Sequence, residues 1–269
     1  MKRRYQIGLS LLLAVSAITP ASAQELEKLS IVVFGVPSLG AFLPPVIKAL
    51  KLDDIYVGTK VRLPPTEPGK RGRLIFALDA TMSRQPTWDM ACTLQADMFR
   101  EAAALGRLDI RLVYYRGFNE CRASSWISDS TRLAKLMSGI ACQGGNTQIG
   151  KVLSEARREA VASGVRAVVF VGDAMEEPID DLCAKAGELG LLKVPVFMFQ
   201  EGHDGVAEQA FREIARLTGG AWCRFDPGAA AQLRELLRAA AAYAAGGREA
   251  LLRLSKTTGG AAQLLGQMR

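Results

Sequence analysis

From residue 74 to residue 245 the chain alternates short apolar runs with longer amphipathic ones, and few folds accept that order. The apolar runs cover 74–78 (LIFAL), 108–115 (LDIRLVYY), 166–171 (RAVVFV), 194–199 (VPVFMF) and 221–225 (AWCRF). Each has strand length, is rich in β-branched or aromatic residues, and lacks helical periodicity. Between them lie segments with apolar residues at helical spacing: 86–105, 130–140, 147–163, 179–189, 206–217 and the Ala/Leu-rich stretch 229–245. In 86–105, Trp88, Ala91, Cys92, Met98 and Phe99 share a side; in 147–163, Ile149, Val152, Leu153 and Ala156 fall in register. Residues 120–127 read as a short return strand paired in a hairpin with 108–115. Strands that are apolar throughout must be buried on both faces. The expected architecture is therefore an α/β three-layer sandwich, with a mostly parallel, doubly wound, Rossmann-like sheet between two layers of helices.

The segment before this region differs in character. Lys2, Arg3 and Arg4 precede an apolar stretch over 7–18 and the sequence Pro20-Ala21-Ser22-Ala23, which has the form of a cleaved export signal. The apolar stretch is short for a membrane span, and no later segment is apolar enough to be one. Residues 59–72 (TKVRLPPTEPGKRG) are rich in Pro, Gly and basic residues and read as a linker. The expected organisation is a signal peptide over 1–23, a leader and linker over 24–72, the α/β domain over 73–245 and a C-terminal tail over 246–269. The signal implies a periplasmic or otherwise exported protein; a cytoplasmic one is the alternative.

Charge and composition exclude several classes. The 34 basic and 27 acidic side chains leave a net charge of +7, but they are interspersed. No zinc-finger spacing or aromatic RNA-binding motif accompanies them, so no nucleic-acid partner is expected. One histidine cannot build the usual zinc sites. A G-x-x-x-x-G-K-[ST] loop, a G-x-G-x-x-G turn after a strand and a G-x-S-x-G elbow are all absent. No catalytic residue is assigned. Cys92, Cys121, Cys142, Cys183 and Cys223 are odd in number and form no C-x-x-C pair; they read as buried free thiols, with one disulfide and a leftover thiol as the alternative.

Chemistry concentrates at three strand ends. The first strand runs into Asp79-Ala80-Thr81-Met82-Ser83, a D-x-T-x-S sequence. Gly144-Gly145-Asn146-Thr147 places a hydroxyl at the start of a helix, and Asp173 follows the strand at 166–171. Ligands of doubly wound sheets bind beyond the carboxyl ends of the strands. Asp79, Thr81, Ser83, Thr147 and Asp173 are thus candidate ligands of one metal ion. An all-oxygen set with only two carboxylates suits Mg²⁺, with Mn²⁺ or Ca²⁺ as alternatives, because a hard cation keeps several waters. Two carboxylates only neutralise a divalent ion, which leaves a position attractive to an Asp or Glu of another protein. Nearby, Asn146 is expected to cap the helix. Glu176, Glu177, Asp180 and Asp181 are expected to favour a helix N-terminus through its dipole. His203 reads as a solvated or hydrogen-bonded loop residue, and Trp88 and Trp222 as core.

The order D-x-T-x-S, G-N-T turn, strand-terminal Asp over 73–245 resembles the metal-ion-dependent adhesion site of von Willebrand factor A domains. Met82 stands where that family frequently has Gly, and Gly precedes Asp173 where it often follows. RGRLIFALDATMSRQPTWD, VYYRG and FVGDAMEE further resemble a bacterial subgroup of that family, usually intracellular. The resemblance implies a cation-dependent protein-binding module and no enzyme. A second resemblance covers about residues 1–52: the signal followed by LSIVVFGVPSLGAFLPPVIKALKL is similar to the start of periplasmic solute-binding proteins of nitrate/sulfonate/taurine transporters. A solute-binding transport component is accordingly the alternative function. A third is a metal-dependent phosphohydrolase, for which Glu176 is the one candidate base.

Overall fold

The computed structural model describes residues 71–268, apart from Ala104 and Gly106. The signal, the leader and the solute-binding resemblance lie outside the described residues. Six strands form one sheet: β1 (Gly72–Asp79), β2 (Leu108–Arg116), β3 (Glu120–Ala123), β4 (Ala167–Gly172), β5 (Val196–Glu201) and β6 (Ala221–Phe225). Their order is β3-β2-β1-β4-β5-β6. All neighbours are parallel except β2 and β3, which pair antiparallel from Val113↔Ala123 to Arg116↔Glu120. The return segment is shorter than its sequence suggests. Beyond Ala123 only a single bridge, Ile110↔Ile127, continues the pairing.

Seven α-helices cover the sheet: α1 (Gln85–Ala103), α2 (Ser130–Ser138), α3 (Ile149–Ser163), α4 (Ile179–Leu191), α5 (Gly205–Thr218), α6 (Ala230–Leu254) and α7 (Gly259–Gln267). The period-2 alternation of β1 divides the core between its two faces. Leu74, Phe76 and Leu78 pack with Trp88 and Met98 of α1, Leu133 of α2, Leu236 and Ala240 of α6 and Leu264 of α7. Ile75 and Ala77 face the other way, towards Ile149 and Val152 of α3, Leu182 of α4 and Phe211 of α5. The result is the expected three-layer α/β sandwich. Trp88 and Trp222 are buried, and all five cysteines are free; Cys142 and Cys223 are buried and the other three partly so.

Residues beyond 245 join this core. Helix α6 does not stop at the Gly246-Gly247 pair; it kinks there, where Gly247 adopts φ 70°, a left-handed value that glycine accepts without steric cost. The chain then continues helically because Ala250 and Leu251 find buried positions, and α7 returns to bury Ala261 and Leu264. Among the described residues no helix is long and apolar enough to cross a membrane.

Candidate metal centre

The strand order places β1 between β2 and β4, so the connections leaving β1 and β4 part to opposite sides of the sheet, the switch point at which such sheets bind ligands. Asp79 is the last residue of β1, and Asp173 directly follows β4. A single 3-10 turn, Met82–Arg84, carries Ser83, and the loop before α3 carries Thr147. Asp79, Thr81, Met82, Ser83, Gly144, Gly145, Thr147, Asp173, Ala174 and Glu176 line one cleft of about 210 Å³. All five sequence-nominated residues therefore share one site.

Local bonds fix the oxygens. Asp79 Oδ1 accepts from the Thr81 backbone N–H at 2.8 Å, and Asp79 Oδ2 accepts from the Tyr115 hydroxyl at 3.0 Å. Ser83 Oγ donates to Asp173 Oδ2 at 3.3 Å and lies 3.4 Å from Thr81 Oγ1. Thr147 and Glu176 bond reciprocally: the Thr147 N–H donates to Glu176 Oε2 at 3.2 Å, and the Glu176 N–H donates to Thr147 Oγ1 at 3.0 Å. The loop carrying Thr147 runs against the β2–β3 turn. Gly145 is required there, since a Cβ would fall 2.0 Å from the Gly117 carbonyl oxygen.

Burial sets the electrostatics. Asp79 is 3% exposed, and desolvation raises its carboxyl above the usual range, against the opposing bonds from Thr81. Tyr115 is fully buried, and burial with the neighbouring Asp79 charge pushes its hydroxyl well above normal. It therefore stays protonated as the donor that fixes Asp79. Arg84 is buried directly beneath the site; desolvation lowers its guanidinium, while Asp173 and Asp79 oppose that. It forms an ion pair with Glu201, the last residue of β5, which also accepts from the Thr87 hydroxyl. Arg84 Nη1 is 3.8 Å from Asp173 Oδ2. Glu201 is thus the arginine's near partner, and Asp173 stands further from it on the cleft side.

The donor set fits a hard divalent cation. Neighbouring ligand oxygens stand roughly 3.0 Å apart around Mg²⁺ and roughly 3.4 Å apart around Ca²⁺. The 3.3 and 3.4 Å separations of Ser83, Asp173 and Thr81 lie at the wider end of that interval, so the three oxygens would close slightly on Mg²⁺ and need not move for Ca²⁺. The site is poor in carboxylates: among the described residues no three His, Cys, Asp or Glu side chains gather as a metal-holding group. Three of the five nominated ligands are neutral hydroxyls.

Some neighbouring residues act differently from expectation. Asn146 does not cap α3; its N–H donates to Gly117 O at 3.2 Å. The cap comes from Glu177, whose carboxylate accepts from the N–H groups of Ile149 and Gly150. Glu176 and Glu177 thus serve the α3 end and its loop, and only Asp180 and Asp181 lie in the first turn of α4. His203 is exposed beside Arg224, its Nδ1 3.1 Å from Arg224 Nη1. Tyr115, Arg84 and Glu201 were not nominated from sequence. Glu201 carried the same signal as Asp79 and Asp173, a carboxylate ending an apolar strand; Tyr115 and Arg84 had none, because their partners are distant in sequence.

No protein-family model matches the chain, and no curated protein matches it in sequence. Solved structures do match. Proximal thread matrix protein 1 (PTMP1) from the mussel byssus superposes over 64% of this chain and 46% of its own, with a TM-score of 0.53 at 14% identity. This chain therefore spans less than half of PTMP1. The vWF domain of the type V pili tip protein Mfa5 from Porphyromonas gingivalis superposes over 62% of this chain and 94% of its own, with a TM-score of 0.50 at 11% identity. At such identities the likeness concerns the fold, and with the six-stranded sheet and its switch-point cleft it makes this chain a von Willebrand factor A-like α/β sandwich.

Proposed function

We propose that the chain is a protein-interaction module that works through a divalent cation, Mg²⁺ foremost, held by Asp79, Thr81, Ser83, Thr147 and Asp173. The observation that carries this reading is the convergence of five oxygen-bearing side chains from three loops on one cleft, closed by the Ser83–Asp173 bond. A bound cation supplies an electrophilic centre for a carboxylate of the partner. The protein's own part is positional. Tyr115 and the Thr81 N–H orient Asp79, Glu176 holds Thr147, and Glu201 keeps the Arg84 charge from neutralising Asp173. Glu176, the one candidate base for a hydrolase, accepts from the Thr147 N–H through Oε2 and so also helps to position the Thr147 loop. The export signal in the sequence makes the periplasm the proposed compartment.

The test is affinity capture on the immobilised chain in Mg²⁺, in chelator, and with Asp79→Ala and Thr147→Ala. Proteins retained by the wild type in Mg²⁺ alone, and by neither variant, are the expected result. Equal retention in all conditions overturns the reading.

A further inference from the structure

Two large apolar side chains stand in water here: Met82, which lines the cleft, and Phe118, in the turn whose Gly117 packs against Gly145. Met82 is 62% exposed and Phe118 80%. The other exposed large apolar side chains among the described residues are Leu136, Val161, Leu191, Val206 and Leu252, each on an α-helix. Single apolar groups on helix surfaces are ordinary. Met82 and Phe118 lie instead in tight turns on the two sides of the loop that carries Thr147. On one side the Gln143 N–H donates to Ala80 O at 3.0 Å; on the other the Asn146 N–H donates to Gly117 O at 3.2 Å. Met82 lines the cleft itself, together with Gly144, where a Cβ would meet nothing within 4 Å.

The turn that presents Phe118 is held on both flanks. Gln148 Nε2 donates to Gly117 O at 3.1 Å and to Arg116 O at 3.2 Å, and Lys151 Nζ donates to Asn119 O at 3.3 Å. These groups belong to the end of α3 that follows Thr147, so the turn is tied by hydrogen bonds to the loop that lines the cleft. An apolar side chain carried on a fixed backbone costs a partner little ordering entropy when it is covered.

Resting on the cation reading, we infer that the partner segment is an exposed protein loop whose acidic residue is flanked by apolar side chains, one covering Met82 and the other Phe118. The charge complementarity is that of a carboxylate with the cation, and the apolar flanks supply the contact area. A loop with polar flanks leaves both side chains in water and loses that contribution, about tenfold in affinity for each well-covered side chain.

The experiment uses the full chain in saturating Mg²⁺ and two head-to-tail cyclic hexapeptides, one with Asp between two Leu and one with Asp between two Ser. Affinities are measured by calorimetry or by NMR titration. The Leu-flanked ring is expected to bind at least about tenfold tighter. That preference should fall below about threefold in the Met82→Ala/Phe118→Ala double variant, whose exposed positions leave the core untouched and which is compared at an Mg²⁺ concentration shown by its own titration to saturate it. Equal binding of both rings, no binding of either, or a preference that survives in the double variant overturns the inference, while Mg²⁺ binding by the wild type leaves the cation reading standing. Failure of the wild type to bind Mg²⁺ overturns both.

Discussion

Replacing Glu201 with Gln keeps the shape of the side chain and removes its charge, and the cost follows from what it leaves behind. Arg84 is 2% exposed and its Nε has no hydrogen-bond partner, so the Glu201 carboxylate is its main compensation. Breaking a buried ion pair from one side typically costs about 3–5 kcal/mol. The amide of Gln can still accept from the Thr87 hydroxyl, so we expect the lower end, about 3 kcal/mol. Against a total stability of roughly 5–15 kcal/mol this is a large loss. The remaining anion is Asp173, whose Oδ2 lies 3.8 Å from Arg84 Nη1, an attraction of about 4 kcal/mol at an effective dielectric constant near 20. The freed guanidinium should therefore lean on Asp173 and weaken cation binding together with stability. Urea unfolding followed through the buried Trp88 and Trp222 measures the first effect, and Mg²⁺ calorimetry the second. The double variant Arg84→Met/Glu201→Leu should regain most of the lost stability, because it removes the desolvation penalty of both charges. A loss below about 1 kcal/mol in Glu201→Gln, or a double variant no more stable than the single, refutes the reasoning.

Gly145→Ala should drive a Cβ into the Gly117 carbonyl, cost about 1–3 kcal/mol and reduce cation affinity by displacing Thr147, whereas Gly144→Ala, whose Cβ meets nothing within 4 Å, should be neutral in the same titration. Burial pushes the Cys92, Cys121 and Cys142 thiols up to about 11 and Cys223 to about 12, so at pH 8 about one in a thousand or fewer is thiolate. Iodoacetamide should therefore label these four slowly in the native protein and all five cysteines quickly in urea; fast native labelling of Cys223 would contradict its burial. Because these folded-state values lie above those of unfolded thiols, the stabilisation is complete below about pH 8.5 and is lost as pH rises through about 11–12. Unfolding monitored across that range should show a steep alkaline loss, diminished in Cys223→Ala relative to its own neutral-pH stability.

The sheet was legible because β1, β4 and β5 are apolar on both faces, a pattern that needs no partner to be read. Helix ends were less so. Thr147 opens no helix, since α3 begins only at Ile149, where a carboxylate 28 residues away satisfies its N–H. The tail hides its structure for a related reason: Gly246-Gly247 has the composition of a stop, yet burial of Leu251 and Leu264 outweighs the local preference. At the site, D-x-T-x-S is compact enough to be recognised in place. The Tyr115 hydroxyl on Asp79 and the Arg84–Glu201 pair join residues 36 and 117 positions apart, so only the packed sheet brings them together.

Mn²⁺ binding measured by electron paramagnetic resonance, with Mg²⁺ as competitor, tests the cation site most directly, because it requires no partner. The expected result is one saturable ion per chain, displaced by Mg²⁺, and lost in Thr147→Ala and Asp173→Ala while their far-UV circular dichroism stays that of wild type. Absence of saturable binding, or an affinity unchanged in both variants, would show that the five side chains at the switch point hold no metal.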